Sequence, residues 1–161
     1  LTASVLAAVL EQMSEHVNMV NAPEIARSKK IKVSDRYIEH SDDWPAAISI
    51  RIECENGVHG VTGTLFGGRE PRIVEIESVP IEAALTPHML LIKNEDRPGM
   101  IGALGTVLSE AGCNIADFRL GRIGSGQTAV ALVSVDEPVS NDVFSKIESI
   151  PQIRQARRLT F

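Results

Sequence analysis

The stretch Met89-Leu90-Leu91-Ile92-Lys93-Asn94-Glu95-Asp96-Arg97-Pro98-Gly99 decides how this 161-residue chain is read. An apolar strand runs from Met89 to Lys93. A polar turn follows, and Pro98, with no N–H to leave unpaired, is expected to open a helix. Met100, Ile101, Leu104, Val107 and Leu108 supply that helix with an apolar stripe, and Gly112 stops it. Reading outward, Ile115, Phe118 and Leu120 belong to a second strand and Ala129 to Val135 to a third. Val143, Phe144, Ile147 and Ile150 make a second helix, and Ile153 to Phe161 is the last strand. Strand, helix, strand, strand, helix, strand is the ferredoxin-like βαββαβ order. That order serves many functions, so function must be argued from the residues.

The residues before this block read as a smaller α+β layer. Val5, Leu6, Val9, Leu10, Met13, Val17 and Val20 fall at helical spacing. Asn21 is placed to cap a short second helix, with Pro23 in its first turn and an end towards Lys30. Ile31-Lys32-Val33 and Tyr37 then alternate as a strand, as do Ile48, Ile50 and Ile52 against Ser49, Arg51 and Glu53. Glu55-Asn56-Gly57 signals a hairpin into a strand that Gly67-Gly68 ends, Arg72 to Glu77 is a further strand, and Pro80 marks a turn. The fold class is α+β, an antiparallel α+β layer followed by the βαββαβ block. Residues 1–86 hold 13 acids against 8 bases, while 87–161 hold 8 of each. The shift coincides with the polar break Leu85-Thr86-Pro87-His88, which divides the chain into domains 1–86 and 87–161.

Composition excludes several classes. The net charge of −5 opposes a surface made for nucleic acid, and at 4 % aromatic residues the core must be aliphatic. The central strands carry no aromatics of the kind that stack on RNA bases. No apolar run approaches the ~20 residues of a membrane span. Two cysteines give neither a disulfide framework nor a metal site, so a cytoplasmic protein is expected. No nucleophile stands with a base, and no metal-ligand cluster is found. Gly124-Ser125-Gly126-Gln127-Thr128-Ala129 matches a dinucleotide fingerprint in form only, because a strand follows where a helix must begin. Lys29, Lys30, Lys32, Arg51, Arg69 and Arg72 could gather round an anion or form a solvated face, and His59 reads as a structural or surface histidine.

The informative segment is Asn94 to Gly99. A strand-to-helix turn presents unpaired N–H groups to a small anion, and Gly99 and Gly102 remove side chains from its path. Asp96 can accept from an ammonium, and Asn94 is an adaptable polar group. On the residues alone, this suits either an ordinary turn and helix cap or a site for a free amino acid.

Asp96-Arg97-Pro98-Gly99, the glycine-containing helix and Ala111-Gly112-Cys113-Asn114-Ile115-Ala116 resemble the ACT regulatory domain, over essentially all of 87–161. Val20-Asn21-Ala22-Pro23 and Gly63-Thr64-Leu65-Phe66-Gly67-Gly68 resemble the intervening, allosteric-substrate-binding domain of long-form D-3-phosphoglycerate dehydrogenases. In that family this domain begins upstream of the position of Leu1. The resemblance implies a regulatory region that binds L-serine, or another small amino acid, between paired ACT domains. Asn94, Asp96, Pro98 and Gly99 would come from one protomer, and Asn114 with the Ile115 backbone from the next. Arg51 and Arg72 are the candidates for an anion site. NAD and the catalytic residues would belong to domains upstream in the same chain, with no cofactor, metal or catalytic group in this region itself. The regulatory region of an L-serine dehydratase and a stand-alone amino-acid-binding module are the alternatives.

Overall fold

The structure, a computed structural model, describes residues 1–36, 44, 46–55, 57–124 and 127–161. The chain forms two compact units, Leu1–His40 and Ser41–Phe161.

The first unit is helical, with α1 spanning Thr2–Glu11 and α2 spanning Ala22–Ser28. Ala7 and Leu10 of α1 pack with Ala22 and Ala26 of α2. The apolar stripe was expected to carry the first helix on to Val20, but the helix stops at Glu11 and Val20 is 91 % exposed. Further along the expected helix, two asparagines hold residues 16–21 in a non-helical turn. Asn21 Oδ1 accepts from the Asn18 amide at 2.8 Å, Asn18 Oδ1 accepts from the Val20 amide at 2.8 Å, and Asn21 Nδ2 donates to the His16 carbonyl at 2.9 Å. Such side chains offer the backbone a non-helical alternative. Asn21 does occupy the N-cap position of α2, yet its side chain is turned back to these groups and caps nothing. The expected strand at Ile31-Lys32-Val33 is not formed. The Ile31 amide instead donates to the Ala26 carbonyl at 2.9 Å, closing the exit from α2. Tyr37 and Asn56 lie outside the described residues.

The second unit contains two antiparallel sheets. The first has the order β1-β2-β3-β4, with β1 at Ala47–Cys54, β2 at Gly57–Phe66, β3 at Glu70–Ile76 and β4 at Val79–Ala84. The second has the order β6-β7-β5-β8, with β5 at His88–Glu95, β6 at Ile115–Arg122, β7 at Thr128–Val135 and β8 at Ile153–Thr160. Helices α3, Met100–Glu110, and α4, Asn141–Glu148, complete the βαββαβ order read from the sequence.

The sequence reading made Pro80 a turn and missed β4. The turn lies one step earlier, at Glu77 and Ser78, with φ of 49° and 66°. Pro80 stands within β4, opposite Glu75. As β4 is an edge strand, the missing N–H of Pro80 costs no ladder bond. Val79, Ile81 and Ala83 alternate inward along it.

Both faces of the second sheet are covered. Leu90, Ile92, Ala131, Val133 and Val135 pack against Met100, Leu104 and Leu108 of α3 and Ile147 of α4. Met89, Val130 and Leu132, on the other face, pack against Ile73, Ile76, Val79 and Ile81 of the first sheet. Strand β7 is therefore buried at every position after Thr128, which is why its sequence from Ala129 to Val135 is apolar but for Ser134 rather than alternating. The polar break at 85–88 is drawn into this packing: Leu85 joins the shared core, and Thr86 Oγ1 donates to Ser134 Oγ at 3.0 Å. Ile101, expected in the buried stripe of α3, is 52 % exposed and faces away from the sheet.

The layers meet most closely at Gly121. A Cβ there would lie 2.4 Å from the Pro80 carbonyl oxygen and 2.9 Å from Val79 Cγ1. Gly121→Val should therefore destabilise the protein by about 1–3 kcal/mol, the usual cost of forcing extra carbons into a filled site. Chemical denaturation measures this, and unchanged stability would mean that β4 does not lie against β6 as described.

Candidate functional site

Strand β5 runs out at Glu95, and three backbone bonds shape the turn into α3. The Glu95 amide donates to the Gln152 carbonyl at 2.9 Å, the Asp96 amide to the Gln127 carbonyl at 2.8 Å, and the Arg97 amide to the Glu95 carbonyl at 2.8 Å. Pro98 belongs to this turn rather than to the first helical position, because Gly99 follows it in a left-handed conformation with φ of 100° and caps α3. Only glycine adopts that conformation freely. Gly99 brings no side chain to the cap, so the first amides of α3 lack intrahelical acceptors.

Asn94 is buried, with 2 % of its surface exposed. Its Nδ2 donates to the Glu95 carbonyl at 2.8 Å, while its Oδ1 has no partner among the described residues. A buried acceptor left so costs about 1–3 kcal/mol. Asp96 is not free: its two carboxylate oxygens lie 3.3 and 3.4 Å from Nη1 of Arg122, at the end of β6. Sequence reasoning did not find Arg122, since 26 residues separate the pair.

Asn114 and Ile115 stand elsewhere. They sit at the start of β6, where Ile115 pairs with Val135 while Arg122 pairs with Ala129. The length of β6 separates Asn114 from Asp96 within one chain, about 23 Å at ~3.3 Å per residue. Asn114 Nδ2 donates to Asp136 Oδ2 at 2.7 Å. The structure thus brings Asn94, Asp96, Pro98 and Gly99 together and leaves Asn114 and Ile115 at the opposite end of the sheet.

Arg51 and Arg72 share one face of the first sheet but do not converge. Arg51 is opposite Gly60 and Arg72 opposite Thr64, four residues along β2 and so about 13 Å apart in that direction. Arg72 is engaged by Glu82 at 3.3 Å and Glu70 at 3.2 Å and lies 5.2 Å over the Phe66 ring. Arg51 approaches Glu53 at 3.7 Å. His59 has a defined structural place: its Nδ1 lies 2.7 Å from Glu77 Oε1, which also accepts from Lys93 Nζ at 2.5 Å. This cluster ties the β3–β4 turn to β5. Strand β7 begins at Thr128, so the fingerprint-like residues run into a strand and not a helix; Ser125 and Gly126 lie outside the described residues. Among the described residues no cluster of metal-ligating side chains is found, and no helix is long and apolar enough to cross a membrane.

Comparison with known families bears on this arrangement. Residues 88–152 match the ACT domain family, and residues 1–77 match the D-3-phosphoglycerate dehydrogenase intervening domain. The chain is thus an ACT-domain protein. More particularly, with both domains in succession, it belongs to the D-3-phosphoglycerate dehydrogenase family and matches its regulatory region. It is 29 % identical to the D-3-phosphoglycerate dehydrogenase of Synechocystis sp. over 96 % of this chain and 28 % of that protein. It is 31 % identical to that of Methanocaldococcus jannaschii over 86 % and 26 %, and 27 % identical to that of Bacillus subtilis over 95 % and 29 %. The chain therefore spans between a quarter and a third of the length of these relatives.

The Glu77 cluster makes stability depend on pH. Burial pushes the Glu77 carboxyl up, but the hydrogen bonds from Lys93 and His59 outweigh it and hold the group below its ordinary 4.5. A carboxylate lowered on folding stabilises fully above its unfolded value, and the contribution disappears as pH falls through the folded one. Glu77→Gln should be less stable than the parent at neutral pH, with the gap closing below about pH 4.5. Thermal melts of both proteins across pH 3–7 check this, and a gap that persists at low pH would remove the carboxylate as its source.

Proposed function

We propose that this chain is the regulatory region of an NAD-dependent D-3-phosphoglycerate dehydrogenase, the enzyme that opens L-serine biosynthesis from 3-phosphoglycerate, and that it binds L-serine as feedback effector. The intervening domain is residues 1–86 and the ACT domain residues 87–161. The observation that carries the reading is the buried Oδ1 of Asn94, without a partner among the described residues, two positions before the half-buried Asp96 and at a helix start whose cap brings no side chain. An ammonium satisfies the first two groups, and the amides of α3 suit a carboxylate.

The second half of the site is supplied by a partner. Strand β6 is an edge strand, and its free N–H and C=O groups invite pairing with another copy. Antiparallel pairing of β6 with itself about a two-fold axis at its centre sets Ile115 of one protomer beside Arg122 of the other. Asn114 thereby reaches the Asp96 end. Ile101, Leu120 and Ile123, exposed at 52, 37 and 61 %, give this side an apolar surface to bury on pairing.

NAD, which supplies hydride transfer when bound, and the reacting substrate would be held by catalytic domains elsewhere in the same cytoplasmic protein. Serine at the joint between two ACT domains would restrain the movement of those domains without entering the active site.

If the site is shared, serine and dimerisation strengthen each other by the same factor. Sedimentation over a dilution series should show a lower dimer dissociation constant with serine than without. Equal constants, at concentrations where calorimetry shows serine bound, would sink the shared site. Asp96→Ala should abolish the calorimetric signal for serine while the far-UV spectrum stays that of the parent. Undiminished binding by this variant would remove Asp96 from the site.

A further inference from the structure

Three residues that are distant in sequence form a single row across the second sheet. Arg122 of β6 is directly opposite Ala129 of β7, and Ala129 is directly opposite Asn94 of β5. Side chains of directly opposed residues share a face, so Asn94 and Arg122 rise on the same side of the sheet, about 10 Å apart at two strand spacings. In that row the residue between them is Ala129, whose side chain is a single methyl group. Asp96 reaches this row from the turn, because its carboxylate lies against Arg122. A buried acceptor and a cation therefore flank one small residue, with an anion held against the cation.

The ion pair in this group is loose. Its two contacts, 3.3 and 3.4 Å, both use Nη1. Charge-assisted bonds of this kind are normally about 2.7–2.9 Å, and the guanidinium carries further N–H donors on Nε and Nη2. Arg122 is 59 % exposed while the carboxylate of Asp96 is 14 % exposed, so the cation is free to swing and the anion is fixed. The other two arginines at this end, Arg97 and Arg154, are held by Glu95 at 3.1 and 2.5 Å. Glu95 follows Asn94 in the strand and so projects from the opposite face.

We infer that Arg122 is the carboxylate-recognising residue of the effector site, releasing Asp96 to the ammonium of a bound amino acid and taking its α-carboxylate in exchange. This rests on the effector reading above and adds to it the side chain that reads the ligand's carboxylate. The site takes a small zwitterion, and an amine or a carboxylic acid alone matches only half of it. The exchange is balanced, because one internal ion pair becomes two pairs with the ligand, with no proton moved and no net charge buried. A fork of two parallel N–H groups recognises a carboxylate bidentately, which a lysine at this position could not do.

The test compares L-serine with ethanolamine, which keeps the ammonium and hydroxyl but has no carboxylate, by titration calorimetry of the whole chain. The parent should prefer serine by about tenfold or more, and Arg122→Gln should bring the two ligands to within about twofold of each other by weakening serine alone. Arg122→Lys should recover part of the preference, and Asp96→Asn should weaken both ligands together. Melting temperatures within a few degrees of the parent confirm that these surface variants are folded. If Arg122→Gln keeps the parent's preference for serine, the role given to Arg122 is overturned while the effector site stands. If the parent binds neither serine nor alanine nor glycine, the effector reading falls, and this inference with it.

Discussion

The rest of the structure depends on one constraint, the burial of the second sheet on both of its faces. Leu90 and Ile92 look towards α3 and α4, and Met89 and Leu91 towards the first sheet. An antiparallel sheet commonly leaves one face to water; this one cannot, because β7 from Ala129 to Val135 has no polar face to offer. The first sheet must therefore lie against it. That requirement draws Leu85 inward, sets β4 against β6, and leaves Gly121 no room for a side chain. The link between the sheets is consequently packed structure rather than a loose tether.

Burial on both sides also explains where polar chemistry collects. Charged groups cannot enter the body of such a sheet without a large desolvation cost, so they gather where its strands run out. At one end Lys93 meets Glu77 and His59 on the face towards the first sheet. On the opposite face of the same strand, one residue further on, Asn94 keeps a buried oxygen without a partner among the described residues. An apolar residue at that position would be the cheaper choice for packing alone. The irregularity in the β5–β8 register falls between these two residues, where the strand leaves its regular pairing.

The same logic accounts for the division of the candidate site. Strand β6 is long enough to keep Asn114 and Arg122 at opposite ends of the sheet, so one protomer does not bring the proposed set together. The missing half becomes available only if the edge of β6 is used, and an antiparallel two-fold pairing exchanges its ends. In the proposed effector site, strand direction would then couple assembly to ligand recognition.

Much of this was legible in the sequence, for physical reasons that operate over short distances. The 3.6-residue spacing of Met100, Leu104 and Leu108, the apolar run of β7 and the glycine after α3 each report a local preference, and they determined the βαββαβ order and the position of the turn at Asn94 to Gly99. Local signals also misled where side chains competed with them: Asn18 and Asn21 hold a non-helical turn where the apolar spacing predicts helix, and Pro80 read as a turn because its place at a sheet edge was invisible. The alternation of Val79, Ile81 and Ala83 was the signal that could have found β4. What only the tertiary structure decided are the contacts made across the sheet. The row of Asn94, Ala129 and Arg122, the pairing of Arg122 with Asp96, and the sharing of Glu77 by His59 and Lys93 depend on strand order and register. Both are set by which faces are buried against which, and no short-range pattern in the chain encodes them.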